Sequence, residues 1–121
     1  FDSGVGGLTV ARSVLDQLPH EQVLYIGDTA NSPYGPRDIA EVRSLALSIM
    51  DELVDRGVKL LVIACNTATA AAAEAIRAAA TLPVVALEPG VKPAAALTHR
   101  AERVWPPWME PRPEPSGRWA R

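Results

Sequence analysis

A single cysteine among 121 residues excludes an internal disulfide framework and any multi-cysteine zinc site, and no metal centre is expected. Histidine is nearly as scarce, with only His20 and His99 present. The two lysines, Lys59 and Lys92, leave little material for amine chemistry. With a formal net charge of −2 and no basic run, the chain has no electrostatic footprint for several phosphates, so no nucleic-acid partner is expected. The longest strongly apolar run, residues 60–65, is a buried strand in length and falls far short of the about 20 residues of a membrane helix. No membrane partner is expected either.

What is present is an ordinary globular composition, 48% hydrophobic and 21% charged, in a length that suits one domain. From Phe1 to about Thr98, short strand-like runs alternate with longer helix-like stretches. Leu8, Ala11, Val14, Leu15 and Leu18 recur at helical spacing, and Pro19 follows as a stop. Residues 23–26 suit a buried strand ending in Gly27. Ile39, Val42, Leu45, Ala46, Ile49, Leu53 and Val54 form one stripe of a long helix closed by Gly57. Residues 60–64 read as a strand covered on both faces, residues 68–80 as an alanine-dense helix, residues 82–87 as another strand, and residues 91–97 as the start of one more helix. This alternation predicts an α/β domain over residues 1–98, a parallel sheet with helices on both faces. Its first strand ends at Phe1, so most of that strand is expected to be absent. Residues 99–121 break the pattern. All three Trp and five of the eleven Pro fall there, which predicts a disordered, aberrant tail.

In open α/β sheets, ligands bind beyond the carboxyl ends of the strands. Three polar clusters occupy that edge, at residues 2–7, 28–35 and 65–69, and the topology predicts that they share one cleft. The first places three glycines ahead of a helix, where backbone N–H groups can approach an anion. Its spacing is neither G-x-G-x-x-G nor a P-loop, and a glycine-rich turn is often only a tight turn. Ser3 and the loop amides suit a carboxylate and Asp2 suits an ammonium group, a pairing that an amino acid offers. In the second cluster Asp28, Asn31 and Ser32 are turn formers that could simply make a solvated loop, while Tyr34 and Gly35 add an aromatic face and an exposed N–H.

The third cluster bears on Cys65. A lone cysteine is ordinarily a small buried hydrophobe. Cys65, however, ends a buried strand immediately before a helix, a position that favours an anionic thiolate. Thr67 is the expected N-cap, with Asn66 supplying an amide beside the thiol. A cysteine-phosphatase loop needs Arg six positions on, and position 71 is Ala. Neither histidine lies near enough in sequence to suggest a Cys–His nucleophile, so a proton-transfer base fits better than an acylated one.

Phe-Asp-Ser-Gly-Val-Gly-Gly-Leu-Thr-Val at 1–10, Gly-Asp-Thr-Ala-Asn-Ser-Pro-Tyr-Gly at 27–35, Ala-Cys-Asn-Thr-Ala-Thr-Ala at 64–70 and Glu88-Pro89-Gly90 together resemble the aspartate/glutamate racemase family, its glutamate racemases most closely. The resemblance spans Phe1 to about Leu97. It implies a cytoplasmic isomerase with two similar α/β domains and the site between them, supplying D-glutamate for peptidoglycan. In such an enzyme two cysteines face opposite sides of the substrate Cα, one removing the proton and the other returning it, with no cofactor. Carried over by motif, Cys65 is the first acid/base, acting on the D-enantiomer, and Asp2 assists proton transfer. Asp2, Ser3, Tyr34, Gly35, Asn66 and Thr67 hold the small-molecule substrate, glutamate. A homodimer of the full-length enzyme belongs to the same expectation. The family's second half, with its Gly-Cys-Thr-His motif, is missing, and the Trp-, Pro- and Arg-rich tail reads as the product of truncation or a frame shift. Racemisation by this chain alone is therefore not expected. Two alternatives stand beside this reading: an aspartate racemase or one-cysteine arylmalonate decarboxylase of the same superfamily, and a catalytically inactive binding fragment.

Overall fold

The computed structural model describes residues 1–88. Its elements are α1 (Leu8–Gln17), α2 (Ile39–Asp55), β1 (Leu61–Ile63), α3 (Asn66–Ala79) and β2 (Val84–Ala86). Helix α2 carries capping at both ends. The Asp38 side chain accepts from the Ala40 N–H at 2.8 Å, satisfying one of the first-turn donors. At the other end Gly57 takes φ +77, which a residue without Cβ adopts freely. That turn lets Gly57 N–H donate to the Val54 carbonyl at 2.9 Å and Val58 N–H to the Leu53 carbonyl at 3.4 Å, a Schellman closure. The predicted stop at Gly57 thus has its physical cause in view.

Strands β1 and β2 are parallel, with Leu61 opposite Val84 and Ile63 opposite Ala86. On the other side of β1, the Phe1 nitrogen donates to the Val62 carbonyl at 2.7 Å, and Ala64 N–H donates to the Phe1 carbonyl at 2.8 Å. Beyond Phe1, Asp2 N–H donates to the Ile26 carbonyl at 3.0 Å and Asp28 N–H to the Asp2 carbonyl at 2.9 Å, with Asp2 and Gly27 forming a parallel bridge. Four segments therefore lie side by side in the order 26–28, 1–2, 61–64, 84–87. The order reverses between segment 1–2 and β1, which makes their carboxyl ends a topological switch point.

One face of this layer carries α2 and α3. Val42, Ala46, Ile49, Met50 and Leu53 from α2 join Ala68, Ala72, Ala73 and Ile76 from α3 over Phe1, Leu61 and Ile63 in one buried cluster. The alanine density of α3 supplies helix propensity and leaves little side-chain bulk in that contact. The opposite face carries the start of α1, where Gly7 packs against Asp2 and Ala64. The predicted α/β class, a parallel sheet with helices on both faces, is the fold found.

Two expectations need correction. Residues 23–26 are not a strand, and pairing begins only around Ile26 and Gly27. Asp2 is level with Gly27 and Phe1 with Ile26 and Ile63, and residues 23–25 make no backbone hydrogen bond to a neighbouring segment among the described residues. The apolar stripe of α1 is also less buried than its spacing predicts: none of its residues is fully buried, and Leu8, Leu15 and Leu18 are exposed. The expected helix over 91–97 and the tail from 99 lie outside the described residues.

Candidate active site

Because segment 1–2 and β1 are parallel neighbours, the residues that follow them emerge together. Ser3 and Cys65, distant in sequence, meet with the Cys65 thiol donating to Ser3 Oγ at 3.4 Å. Cys65 is itself the N-cap of α3. Its backbone is extended (φ −121, ψ 121) and its sulfur accepts from the Ala68 N–H at 3.4 Å. The capping role expected of Thr67 therefore falls to Cys65, since the helix begins at Asn66 and Thr67 lies inside its first turn. Cys65 is a free thiol and 6% exposed. Burial alone would suit a small core hydrophobe. The hydroxyl beside it and the helix start beneath it are not needed by a packing residue.

Asp2 stands behind this pair, 7% exposed. Its Oδ1 accepts from Ser3 N–H at 2.7 Å and from the Ser3 hydroxyl at 3.4 Å, and its Oδ2 accepts from Gly7 N–H at 2.8 Å. The thiol, the Ser3 hydroxyl and the Asp2 carboxylate thus form a short polar line, with the Ser3–Asp2 link long for an O–H···O bond. Two of the glycine-loop amides expected to greet a ligand are instead committed to Asp2. Asn66 is exposed and Thr67 half-buried at the head of α3, beside the sulfur.

The second cluster is built around Asp28. Its carboxylate accepts from the Asn31 side chain at 2.9 and 3.0 Å and from the Tyr34 hydroxyl at 2.7 Å, while Arg37 Nε donates to the Asn31 carbonyl at 2.7 Å. Tyr34 is 1% exposed and part of the core, and burial, then its hydrogen bond to Asp28, raises its hydroxyl well above the ordinary tyrosine range. Gly35 next to it is exposed, and a Cβ added there would meet nothing within 4 Å. This loop joins the first cluster where the Asp28 N–H donates to the Asp2 carbonyl at 2.9 Å, and a Cβ added at Gly4 would lie 3.8 Å from Ser32 Oγ. The three clusters do converge on one edge of the sheet.

Tyr25 was not among the residues singled out by motif. Its hydroxyl donates to the Gly4 carbonyl at 3.0 Å, pinning the first loop, and burial raises it above the usual tyrosine value. A hydroxyl-bearing ring inside the apolar run 23–26 was the available signal. Gly27 supports the same carbonyl from below: a Cβ there would lie 2.4 Å from the Gly4 oxygen, a backbone atom that cannot swing aside. Gly27→Ala should therefore cost about 1–3 kcal/mol by overpacking. Urea unfolding of the 121-residue chain checks this, and an unchanged midpoint would show that the loop is not held there.

Comparison with known proteins places this arrangement. The Asp/Glu/Hydantoin racemase family model matches residues 8–105. The chain belongs to that family. It is 59% identical over 103 residues to a glutamate racemase of Corynebacterium glutamicum, a match covering 84% of this chain and 38% of the relative. Among solved structures it superposes on an Escherichia coli glutamate racemase in complex with L-glutamate and an activator, with a TM-score of 0.75, 38% identity, and coverage of 81% of this chain and 37% of that one. The glutamate racemase of Aquifex pyrophilus gives a TM-score of 0.74 at 41% identity, over 81% of this chain and 39% of the other. The chain thus spans well under half the length of the relatives it matches. The matched span contains Cys65 and the head of α3. Among the described residues no group of His, Cys, Asp and Glu is arranged to hold a metal ion, and no helix is long and apolar enough to cross a membrane.

Proposed function

We propose that this chain forms the N-terminal half of a cofactor-independent glutamate racemase, in which Cys65 exchanges the Cα proton on one face of the substrate. The observation that carries the reading is the placement of a buried thiol at the switch point, at the head of α3 and 3.4 Å from Ser3 Oγ. As thiolate, Cys65 takes the Cα proton of D-glutamate, and a second cysteine from the remainder of the enzyme delivers a proton to the opposite face. The negative charge on Cα passes into the substrate carboxylate, next to the first-turn amides of α3, where partial positive charge gathers.

Asp2 acts through Ser3, which lies between it and the sulfur, and its remaining acceptor capacity suits the substrate ammonium. Asn66 and Thr67 hold the substrate from the helix start. Gly35 offers its backbone, and Tyr34, tied to Asp28, fixes the loop that presents it. A lysine Schiff base is disfavoured because Lys59 sits ahead of β1, at the end remote from Cys65, where it pairs with Glu21 at 2.6 Å. Lys92 lies outside the described residues. A catalytic domain over 1–98, a cytoplasmic setting, a homodimer of the completed enzyme and the supply of D-glutamate to peptidoglycan belong to the same proposal.

The test is a chimera joining residues 1–88 of this chain to the remaining length of the Corynebacterium glutamicum relative. It should interconvert L- and D-glutamate without added cofactor, followed by circular dichroism. A folded chimera that converts aspartate but not glutamate would overturn the substrate assignment.

A further inference from the structure

Gly35 is exposed and packs on nothing through its Cα position, so contacts of its own do not hold it in place. A backbone N–H offered to a ligand from such a position has to be held through its neighbours in the chain. On one side stands Tyr34, buried and anchored by its hydroxyl to Asp28 at 2.7 Å. On the other side are Pro36 and Arg37. Pro36 is exposed and has no N–H to contribute, which leaves Arg37.

Arg37 makes three attachments. Its backbone N–H donates to the Tyr34 carbonyl at 3.1 Å, closing a four-residue turn with Gly35 and Pro36 at its tip. Its Nε donates to the Asn31 carbonyl at 2.7 Å, reaching back across that turn. Its Nη1 pairs with Glu41 in the first turn of α2. The Asn31 side chain in turn donates to the Asp28 carboxylate at 2.9 and 3.0 Å. Both flanks of Gly35 therefore lead to Asp28, one through the Tyr34 ring and the other through Arg37 and Asn31. Burial, then the bond to Asp28, raises the Tyr34 hydroxyl, and the Arg37 charge acts in the opposite sense, which sets the guanidinium close to that same junction.

The attachments are not equal. An exposed (i, i+4) ion pair such as Arg37–Glu41 contributes little by itself. The bond that spans the turn is the Nε donation to a backbone carbonyl. Arginine carries a donor at that point of its stem and keeps others free for a second partner, whereas lysine has a methylene there.

We propose that Arg37 is a positioning residue for substrate binding, which through its Nε fixes the turn 34–37 and so holds the Gly35 N–H where it meets the substrate. The identity of that substrate rests on the racemase reading. The hold of Arg37 on the turn stands on the geometry alone.

Two variants separate the donor from the charge. Arg37→Lys keeps the charge and loses the donor. Arg37→Gln loses the charge and keeps an N–H the same number of bonds from Cα. In the 121-residue chain, the order parameter of the Gly35 amide is read by NMR relaxation. It should lie near the rigid value of about 0.85 in the parent and the glutamine variant and fall to about 0.6 or below with lysine, while the amides of α2 and α3 keep their values. In the chimera of residues 1–88, Arg37→Lys should raise KM for D-glutamate about tenfold with kcat nearly unchanged, because Gly35 bonds substrate and transition state alike. Arg37→Gln should recover most of that loss. An unchanged Gly35 order parameter in the lysine variant would overturn the proposal. So would a lysine variant with parental KM, or one whose loss falls on kcat with KM unchanged, since damage to the fold lowers the active fraction rather than the affinity. A parent chimera that does not act on glutamate would overturn the racemase reading instead, and the order parameters would still decide whether Arg37 holds the turn.

Discussion

Incubated with either enantiomer of glutamate, the 121-residue chain leaves the circular dichroism of the solution unchanged. Inverting a stereocentre requires a proton to leave one face of Cα and another to arrive on the opposite face. Cys65 is the only thiol in the chain and serves one face. Water could deliver the second proton, but in an open half-site it is neither fixed nor desolvated. Positioning of reacting groups alone is worth about 7–11 kcal/mol of barrier in well-organised sites, and the stabilising dipoles of a closed cleft would be lost with it. The measurement is made from both enantiomers with protein purified free of host racemase. Turnover comparable to that of an intact enzyme would mean that one half supplies both proton transfers, and the two-sided mechanism would fall.

Replacing Cys65 by serine in the chimera lowers kcat by about 10²–10⁴, the usual worth of a positioned acid/base group. The geometry makes this a clean substitution. Cys65 caps α3 by accepting from the Ala68 N–H, and serine is among the best N-cap residues, so helix and fold should survive intact. The hydroxyl also retains a partner in Ser3. What it lacks is acidity, because a serine hydroxyl is hardly ever ionised near neutral pH and cannot take the Cα proton. KM should change little, since the groups assigned to binding are untouched. Urea unfolding of the same variant should give a midpoint close to that of the parent. A Cys65→Ser chimera with near-parental kcat would return Cys65 to the status of a core residue that happens to end a strand.

Much of this architecture was legible in the sequence because local chemistry and global fold agree. Asp38 ahead of an apolar stripe and Gly57 behind it mark α2 at both ends, and the structure shows each performing its capping role. The run at 60–64 has no polar position, as a strand covered on both faces requires. Convergence of the three clusters followed from parallel topology alone. The residues that escaped did so because their behaviour depends on neighbours rather than on spacing. Residues 23–26 have a strand's composition, but a strand needs a backbone partner, and among the described residues pairing along this edge is made only at Asp2 and Gly27. Thr67 is a better capping residue than cysteine on propensity, yet the helix starts one residue after Cys65 because the extended path of β1 ends there. Tyr34 looked like a ligand-facing ring, and its burial became visible only once Asp28 was seen to hold its hydroxyl. Tyr25 lay inside an apolar run and carried no motif, although its hydroxyl fixes the Gly4 carbonyl.

The central claim is that the Cys65 sulfur handles the Cα proton on one face of glutamate, and proton exchange in heavy water tests it most directly. The chimera, in parent and Cys65→Ser forms, is incubated in D₂O with each enantiomer separately, and loss of the Cα proton is followed by NMR alongside the optical sign. The parent should place deuterium at Cα of the inverted product from both starting enantiomers. With serine at 65, D-glutamate should keep its Cα proton, and no inverted product should form from either enantiomer. Loss of that proton from D-glutamate in the serine variant at close to the parental rate would contradict the account, because some group other than Cys65 would then be removing it.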